Sequence, residues 1–157
     1  MRPHTLSEAV RRIQNGTPTE TALGEFLDHY YTASPGDRTA SLAAEPPVLG
    51  SPHIDALVAG IAEHLSKSYS TDTPPAWIER PSRFLPRPWF TAEGADAGLR
   101  EYLTFKSPAA FKRRNIMTDG APLRRATTPQ RQLRAGAVRL SFASTSARTA
   151  QREDGND

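Results

Sequence analysis

One run of apolar residues constrains the fold of this chain more than any other feature. The run comprises Ile54, Leu57, Val58, Ile61 and Leu65, which follow Ser51-Pro52 at intervals of three and four residues. Such intervals place side chains on one face of an α-helix, and a serine followed by proline is typical of a helix start. We therefore expect a long helix here whose apolar face packs against other parts of the chain.

The first part of the chain carries two further helical patterns. Thr5 and Glu8 form a capping-box pattern at the start of a short helix that ends at Asn15-Gly16. A longer helix follows Thr17-Pro18, and its apolar stripe comprises Leu23, Phe26, Leu27, Tyr30 and Tyr31. We expect this stripe to share a core with residues 54–65. Beyond it, Asp37 is expected to cap a brief turn through Leu42.

The second half of the chain predicts short helices joined by irregular segments. Prolines recur from Pro74 to Pro88, so we expect an ordered loop rich in proline and aromatic residues there. A short helix is expected from residue 96, and its inward residues are Leu99, Tyr102 and Leu103. Another is expected from residue 107, and residues 115–117 are expected to form one short extended piece. Because no run alternates in the manner of a strand, the predicted fold class is an all-α irregular helical bundle.

Composition divides the chain into a single helical domain, residues 1–126, and a tail, residues 127–157. The tail contains only four large apolar residues among arginine, serine, threonine and alanine, so we expect it to be disordered. Residues 1–111 hold ten basic and thirteen acidic side chains, whereas residues 112–157 hold ten basic and four acidic ones. A basic end of this kind attracts nucleic acid, an acidic protein surface or anionic lipid without selecting among them.

Cysteine usage and hydropathy bear on the compartment. The sequence contains no cysteine, which excludes disulfides and thiolate metal sites and is compatible with a reducing cytoplasm. The N-terminus has no apolar signal region, and no apolar run is long enough to span a bilayer. We expect a cytoplasmic protein without a membrane segment.

No motif in the sequence indicates catalysis. The histidines and carboxylates lack the His-Glu-x-x-His pattern, no serine lies in a Gly-x-Ser-x-Gly elbow, and no glycine-rich run indicates a phosphate loop. We therefore predict that the protein is not an enzyme and has no catalytic residues, metal ligands or cofactor.

The loop from Pro74 to Phe90 allows two interpretations. Its large aromatic residues can complete a small core, in which an indole N–H usually finds a carbonyl partner. Alternatively some of these residues project as an anchor on a protein partner, because tryptophan and arginine dominate binding hot spots. The candidate partner-binding residues in the loop are Trp77, Arg83, Arg87, Trp89 and Phe90.

The cluster Lys112-Arg113-Arg114-Asn115 also allows two interpretations. As a helix C-terminal turn, its cations complement the helix dipole and Asn115 is a left-handed cap. As an interface, Arg113, Arg114 and Asn115 contact the partner, and both arginines join Arg83 and Arg87 in an exposed fork that binds carboxylates. Together with Arg124-Arg125 and the tail, the cluster also makes a basic strip suited to phosphates.

The order of these residues resembles a family of small uncharacterised bacterial proteins that are commonly encoded beside nucleotidyltransferase-like proteins of the AbiEii toxin type. The resemblance covers residues 20–126, and its motifs are Pro75-Ala76-Trp77, Phe84-Leu85, Pro88-Trp89-Phe90, the segment from Ser107 to Ile116 and Leu123-Arg124-Arg125-Ala126. The chain departs from the family at residues 117–120, where a more apolar extended run is expected. The resemblance implies an antitoxin-like protein that neutralises a cognate nucleotidyltransferase-like toxin by direct contact. The alternative is a nucleic-acid-binding regulator that uses the basic C-terminal segment.

Overall fold

A computed structural model describes residues 2–69 and 73–129 of the chain. The chain divides into two units, residues 1–127 and residues 128–157, and every element described below lies in the first. The tail predicted to be disordered, residues 127–157, lies outside the described residues except for its first three.

The described residues form six α-helices, two 3₁₀ turns and two very short strands. The helices are α1 (Leu6–Gln14), α2 (Thr19–Thr32), α3 (Pro35–Ala43), α4 (Pro52–Tyr69), α5 (Ala97–Lys106) and α6 (Ala109–Lys112). The 3₁₀ turns span Ala76–Glu79 and Pro81–Arg83, and the strands are β1 (Trp89–Phe90) and β2 (Ile116–Met117). The all-α fold class predicted from the sequence is confirmed.

The three helices with the clearest sequence patterns form as expected. Thr5 caps α1 by accepting a hydrogen bond from the backbone N–H of Glu8 at 3.1 Å, which satisfies one of the free donors at the helix start. The apolar stripes of α2 and α4 enter one core, in which Phe26, Val58 and Leu65 are fully buried. Leu57, which the pattern also placed in the core, is only partly buried.

Helix α3 is longer than the brief turn predicted from Asp37. Ser34 accepts a hydrogen bond from the backbone N–H of Asp37 at 3.2 Å, and Pro35 occupies the first turn. Ser34-Pro35 therefore begins a nine-residue helix as well as ending α2. A serine cap followed by proline is the same start signal as Ser51-Pro52 at the beginning of α4.

Helix α4 and helix α6 meet at a glycine. A Cβ atom on Gly60 would lie 2.8 Å from Cδ1 of the Phe111 ring, closer than real side chains approach. The Phe111 ring is fully buried against this bare stretch of helix backbone. This contact fixes α6, and the basic cluster that follows it, against the middle of α4.

The two strands form a parallel pair in which Trp89 lies opposite Ile116. The backbone N–H of Trp89 donates to the carbonyl of Asn115 at 2.7 Å, and that of Thr91 donates to the carbonyl of Met117 at 3.0 Å. The short extended piece predicted near residues 115–117 is therefore confirmed. The pair attaches the end of the proline-rich loop to the segment after α6.

Candidate protein-binding site

The basic cluster after α6 surrounds a buried carboxylate on α4. Glu63 is 1% exposed, and its carboxylate accepts hydrogen bonds from Arg114 Nη1 at 2.9 Å, from Arg113 Nε at 2.7 Å and from Lys67 Nζ at 2.9 Å. Glu79, in the first 3₁₀ turn, pairs with Arg113 from the outer side. We call these five residues the Glu63 network.

The inner part of the Glu63 network, Glu63 and Arg114, is enclosed by protein. Arg114 is 0% exposed, and it donates further to the carbonyls of Ala110 at 2.7 Å and Ile78 at 3.0 Å. The guanidinium groups of Arg113 and Arg114 lie 5.1 and 4.8 Å from the centre of the Phe84 ring. The network thus joins α4, the 3₁₀ turns and α6 in one charged cluster.

The charges of the network shift the pKa of Glu63. Burial alone would raise this pKa, but the hydrogen bonds from Arg113, Lys67 and Arg114 outweigh burial and lower the pKa to about 2. Glu79 also has a lowered pKa because Arg113 donates to it. Glu63 is therefore ionised at neutral pH, and its negative charge balances the positive charges of Arg113 and Arg114.

A second arginine predicted to contact the partner is also buried. Arg83 is 0% exposed, and it donates to the carbonyl of Pro46 at 2.6 Å. Its guanidinium lies 5.0 Å from the centre of the Trp77 ring, and Trp77 in turn donates its indole N–H to the carbonyl of Leu42 at 3.0 Å. Both side chains therefore belong to the interior.

The predicted exposed fork of four arginines is therefore wrong for Arg83 and Arg114, and Trp77 is not an exposed anchor. The physical reason lies in the irregular segments of the fold. Backbone carbonyls outside regular structure still require donors when they are buried, and a guanidinium supplies five N–H groups in a fixed plane. The core interpretation of Trp77 is confirmed, since it is 6% exposed.

Asn115 has the left-handed conformation that the helix-cap interpretation predicted. Its φ of 63° is in the left-handed region, the only such non-glycine value in the described part of the chain. Its side-chain amide donates to the carbonyl of Leu85 at 2.7 Å. Asn115 thus turns the chain out of α6 and positions β2 beside the loop.

The remaining candidates lie at or near the surface. Arg87 is exposed, Arg113 keeps 37% of its side chain exposed despite its two ion pairs, and Trp89 and Phe90 are half-buried. Successive residues of a strand point to opposite faces, so the two residues of β1 contribute to two different surfaces. Trp89 lines a groove on one side, whereas the Phe90 ring lies under the guanidinium of Arg100 of α5 at 5.2 Å.

The groove on the Trp89 side lies between α2, α4 and the segment 118–125, and has a volume of about 750 Å³. We call it the α2–α4 groove. Its floor is apolar and comprises Leu23, Leu27, Ile54, Leu57, Ile61 and Leu123. The rings of His53 and Trp89, which also line the groove, stack with centres 4.3 Å apart and planes 8° from parallel. Threonine, glutamate and arginine side chains form the rim.

The wall formed by residues 118–125 is fastened to α2. The hydroxyl of Tyr31 donates to the carbonyl of Leu123 at 2.7 Å, and Arg125 forms two hydrogen bonds with Asp28 at 2.8 and 3.0 Å. The hydrogen bond from Arg125 lowers the pKa of Asp28. Gly24 leaves room for the Arg125 guanidinium, because a Cβ there would lie 2.9 Å from Nη1. The groove is therefore built from fixed elements.

A second apolar surface lies on α5, where the sequence prediction is only partly right. Of the three residues predicted to face inward, Leu103 is buried but Leu99 and Tyr102 are 39% and 52% exposed. Phe105 is 81% exposed and continues the same spacing of three residues. We call Leu99, Tyr102 and Phe105 the α5 stripe. Leu103 is the one residue of α5 that is buried, and the spacing of apolar residues in the sequence does not show how many of them the core covers.

The described residues hold neither a cluster of metal ligands nor a membrane-spanning helix. No group of three or more histidine, cysteine, aspartate or glutamate side chains there is arranged to hold a metal ion. Within the same residues, no helix combines the length and apolar character needed to cross a membrane.

Comparison with known proteins gives no relative. No protein-family model, curated protein or solved structure matches the chain.

Proposed function

We propose that this chain is an antitoxin-like binding protein that neutralises a cognate nucleotidyltransferase-like toxin by direct protein–protein contact at the α2–α4 groove. The observation that carries the proposal is the groove itself, which has a volume of about 750 Å³, a largely apolar lining and a stacked pair of His53 and Trp89 rings in its wall. Trp89 is one of the residues that the sequence made a candidate for partner binding.

The shape and lining of the groove suit a helix of the partner. An amphipathic helix binds by laying its apolar face into a groove of this kind, with residues at intervals of three and four as anchors. Ile54 and Leu57 are partly exposed in the groove although they lie on the apolar face of α4. Their remaining apolar surface is available for a partner without any change in the core.

The charges of the described residues favour a protein partner over nucleic acid. Arg83 and Arg114 are buried, and Arg113 and Arg125 are engaged with carboxylates. A phosphate-binding surface needs exposed cations in a row, whose contacts release counterions and make binding depend on salt. Arg113 and Arg114 of the basic cluster therefore support the fold, which leaves the apolar groove as the better docking surface.

The experiment measures binding of the purified chain to the purified product of the neighbouring gene, which the proposal expects to be a nucleotidyltransferase-like protein. Ile54→Arg places a charge in the groove, and we expect affinity to fall about 30-fold or more, which is the loss of one central hot-spot residue. Val48→Arg is the matched control, because Val48 is 49% exposed and does not line the groove. Thermal midpoints of both variants establish that they are folded.

The outcomes separate the two functions. The antitoxin-like function is supported if only Ile54→Arg loses binding to the toxin. The same variant should then also fail to restore the growth of cells that express the toxin. Equal affinity of both variants for the toxin contradicts the groove as the docking surface. The regulator is supported instead if the chain does not bind the toxin but binds nucleic acid, and if removal of residues 128–157 abolishes that binding.

A further inference from the structure

We propose that the α5 stripe is a self-association surface, on which α5 of a second copy of this chain packs antiparallel to form a weak symmetric dimer. The surface is separate from the α2–α4 groove, since no residue of α5 lines that groove. Success or failure here leaves the proposed function untouched.

Helix α5 lacks the packing that a helix of its length needs. It has ten residues, of which only Leu103 is buried. Isolated helices shorter than about 12–15 residues are marginal in water, and most helical stability in proteins comes from burial of an apolar face. The α5 stripe is the apolar face that remains uncovered, so a partner that covers it completes the packing of α5.

The spacing of the stripe is symmetric about its middle residue. Leu99 and Phe105 lie three residues to either side of Tyr102, or about 4.5 Å along the helix axis. When two copies of α5 pair antiparallel about a two-fold axis at Tyr102, Leu99 of each copy meets Phe105 of the other. Tyr102 then meets Tyr102 of the second copy, so the stripe is complementary to itself, as a two-fold interface requires.

The charges at the ends of α5 match the same arrangement. Asp96 caps the start of the helix by accepting from the backbone N–H of Leu99 at 2.8 Å, and Lys106 is its last residue. In the antiparallel pair these two residues from different copies lie within about 3 Å of each other along the axis. Each lysine therefore meets an aspartate at the positive end of the opposite helix, whereas a parallel pair would place like charges together.

The size of the surface indicates a weak dimer. An aromatic side chain offers about 150–250 Å² when exposed, so the three side chains at their exposed fractions supply roughly 350 Å² per copy. With a polar rim added, the pair reaches only the low end of specific interfaces, below about 1,200 Å² in total. We expect a dissociation constant of about 10–100 µM, which is typical of a reversible contact.

The first experiment is sedimentation equilibrium of the full chain between about 5 and 500 µM, with Phe105→Glu as the test variant. The wild-type protein is expected to pass from monomer to dimer over this range. Phe105→Glu is expected to raise the dissociation constant about tenfold or more and to leave the circular dichroism spectrum unchanged, because Phe105 is 81% exposed. A wild-type chain that stays monomeric throughout overturns the proposal, as does a dimer that Phe105→Glu leaves intact.

The second experiment tests the antiparallel arrangement by disulfide formation, which is specific because the chain has no native cysteine. Tyr102→Cys lies on the proposed axis, where the two Cα atoms approach the range of about 4.4–6.8 Å that a disulfide needs. Thr104→Cys is the control, because residue 104 is exposed and lies on the opposite side of α5. Rapid cross-linking of Tyr102→Cys alone supports the proposal.

Mixtures of single-cysteine variants fix the direction of the pair. Leu99→Cys mixed with Phe105→Cys is expected to give mainly the mixed disulfide, because these two positions face each other. Preferential linkage of Leu99→Cys to itself indicates a parallel pair and overturns the arrangement. Equal cross-linking of Thr104→Cys and Tyr102→Cys indicates random collision and does the same.

Discussion

Removal of the buried carboxylate of the Glu63 network should destabilise the fold more than any other single change of charge in it. Glu63→Gln keeps the size of the side chain but leaves Arg114 buried without its counter-ion. Loss of one partner from a buried ion pair costs about 3–5 kcal/mol. A domain of this size is stable by about 5–15 kcal/mol, so the variant should fold but unfold at a much lower urea concentration.

The pH dependence of stability tests the same carboxylate. The pKa of Glu63 is about 2 in the folded protein, against 4.5 for an unperturbed glutamate. A lowered pKa adds stability above the unfolded value, and that stability is lost as pH falls from about 5 towards 2. The difference of about 2.5 in pKa corresponds to stability on the order of 3 kcal/mol at neutral pH. Glu63→Gln cannot ionise and should lack this part of the acid sensitivity.

The assay is urea unfolding of both proteins at pH 7 and pH 3, followed by circular dichroism. Glu79→Gln is the matched control, because Glu79 binds the same Arg113 but keeps 58% of its side chain exposed. Exposed ion pairs contribute about 1 kcal/mol or less, so this variant should stay close to the wild type. A Glu63→Gln protein within about 1 kcal/mol of the wild type at pH 7, or with the same acid sensitivity, would refute the reasoning.

Two further predictions concern contacts that the sequence did not show. Gly60→Ala should destabilise the protein by about 1–3 kcal/mol in urea unfolding, because its Cβ would overlap the buried ring of Phe111. Gly24→Ala is its control and should cost less than Gly60→Ala, since its Cβ would meet the guanidinium of a partly exposed arginine rather than a fully buried ring. Arg83→Met should lower stability by about 2–3 kcal/mol because the buried carbonyl oxygens lose their donor, whereas Arg87→Met, at an exposed position, should change it by less than about 0.5 kcal/mol. A Gly60→Ala protein as stable as Gly24→Ala, or equal stability of the two arginine variants, contradicts these assignments.

The sequence predicted the helices that combine a start signal with a complete apolar stripe. In α2 and α4 the cap, the spacing and the length all agree, so local preference and packing favour the same structure. The length of α3 was predicted less well because Ser34-Pro35 serves two helices, as the end of one and the start of the next. A pattern assigned to one role gives no sign of the other.

The role of the arginines could not be predicted, because charge alone does not show which carbonyls lack donors. Arg83 and Arg114 bind carbonyls that lie 37 and 36 positions away in the sequence, at Pro46 and Ile78. Only the folded chain brings these groups together. A usable signal was present in Glu63, which lies opposite the apolar stripe of α4 but among the small residues Ala59, Gly60 and Ala62. Small residues on the second side of a helix let other elements approach closely, and a buried acid there requires cationic partners elsewhere in the chain.

The spacing of apolar residues could not predict the α2–α4 groove or the α5 stripe, and the reason is the same for both. Apolar residues on a helix face predict that the face is covered, but not whether the same chain covers it. Ile54 and Leu57 of α4 stay partly exposed, and Tyr102 and Phe105 of α5 stay exposed although Leu103 is buried. In both places the chain has more apolar surface than its own core uses.

The basic motif and the two surfaces are connected through the strand pair. Arg114 anchors the end of α6 to Glu63, Asn115 turns the chain, and the carbonyl of Asn115 accepts from Trp89. The motif thereby fixes the strand whose two residues face the groove and α5. Its residues act on binding by positioning the strand, so a loss of binding in an Arg114 variant must be compared with its loss of stability. Only a variant such as Ile54→Arg, which leaves the network intact, reports on the docking surface itself.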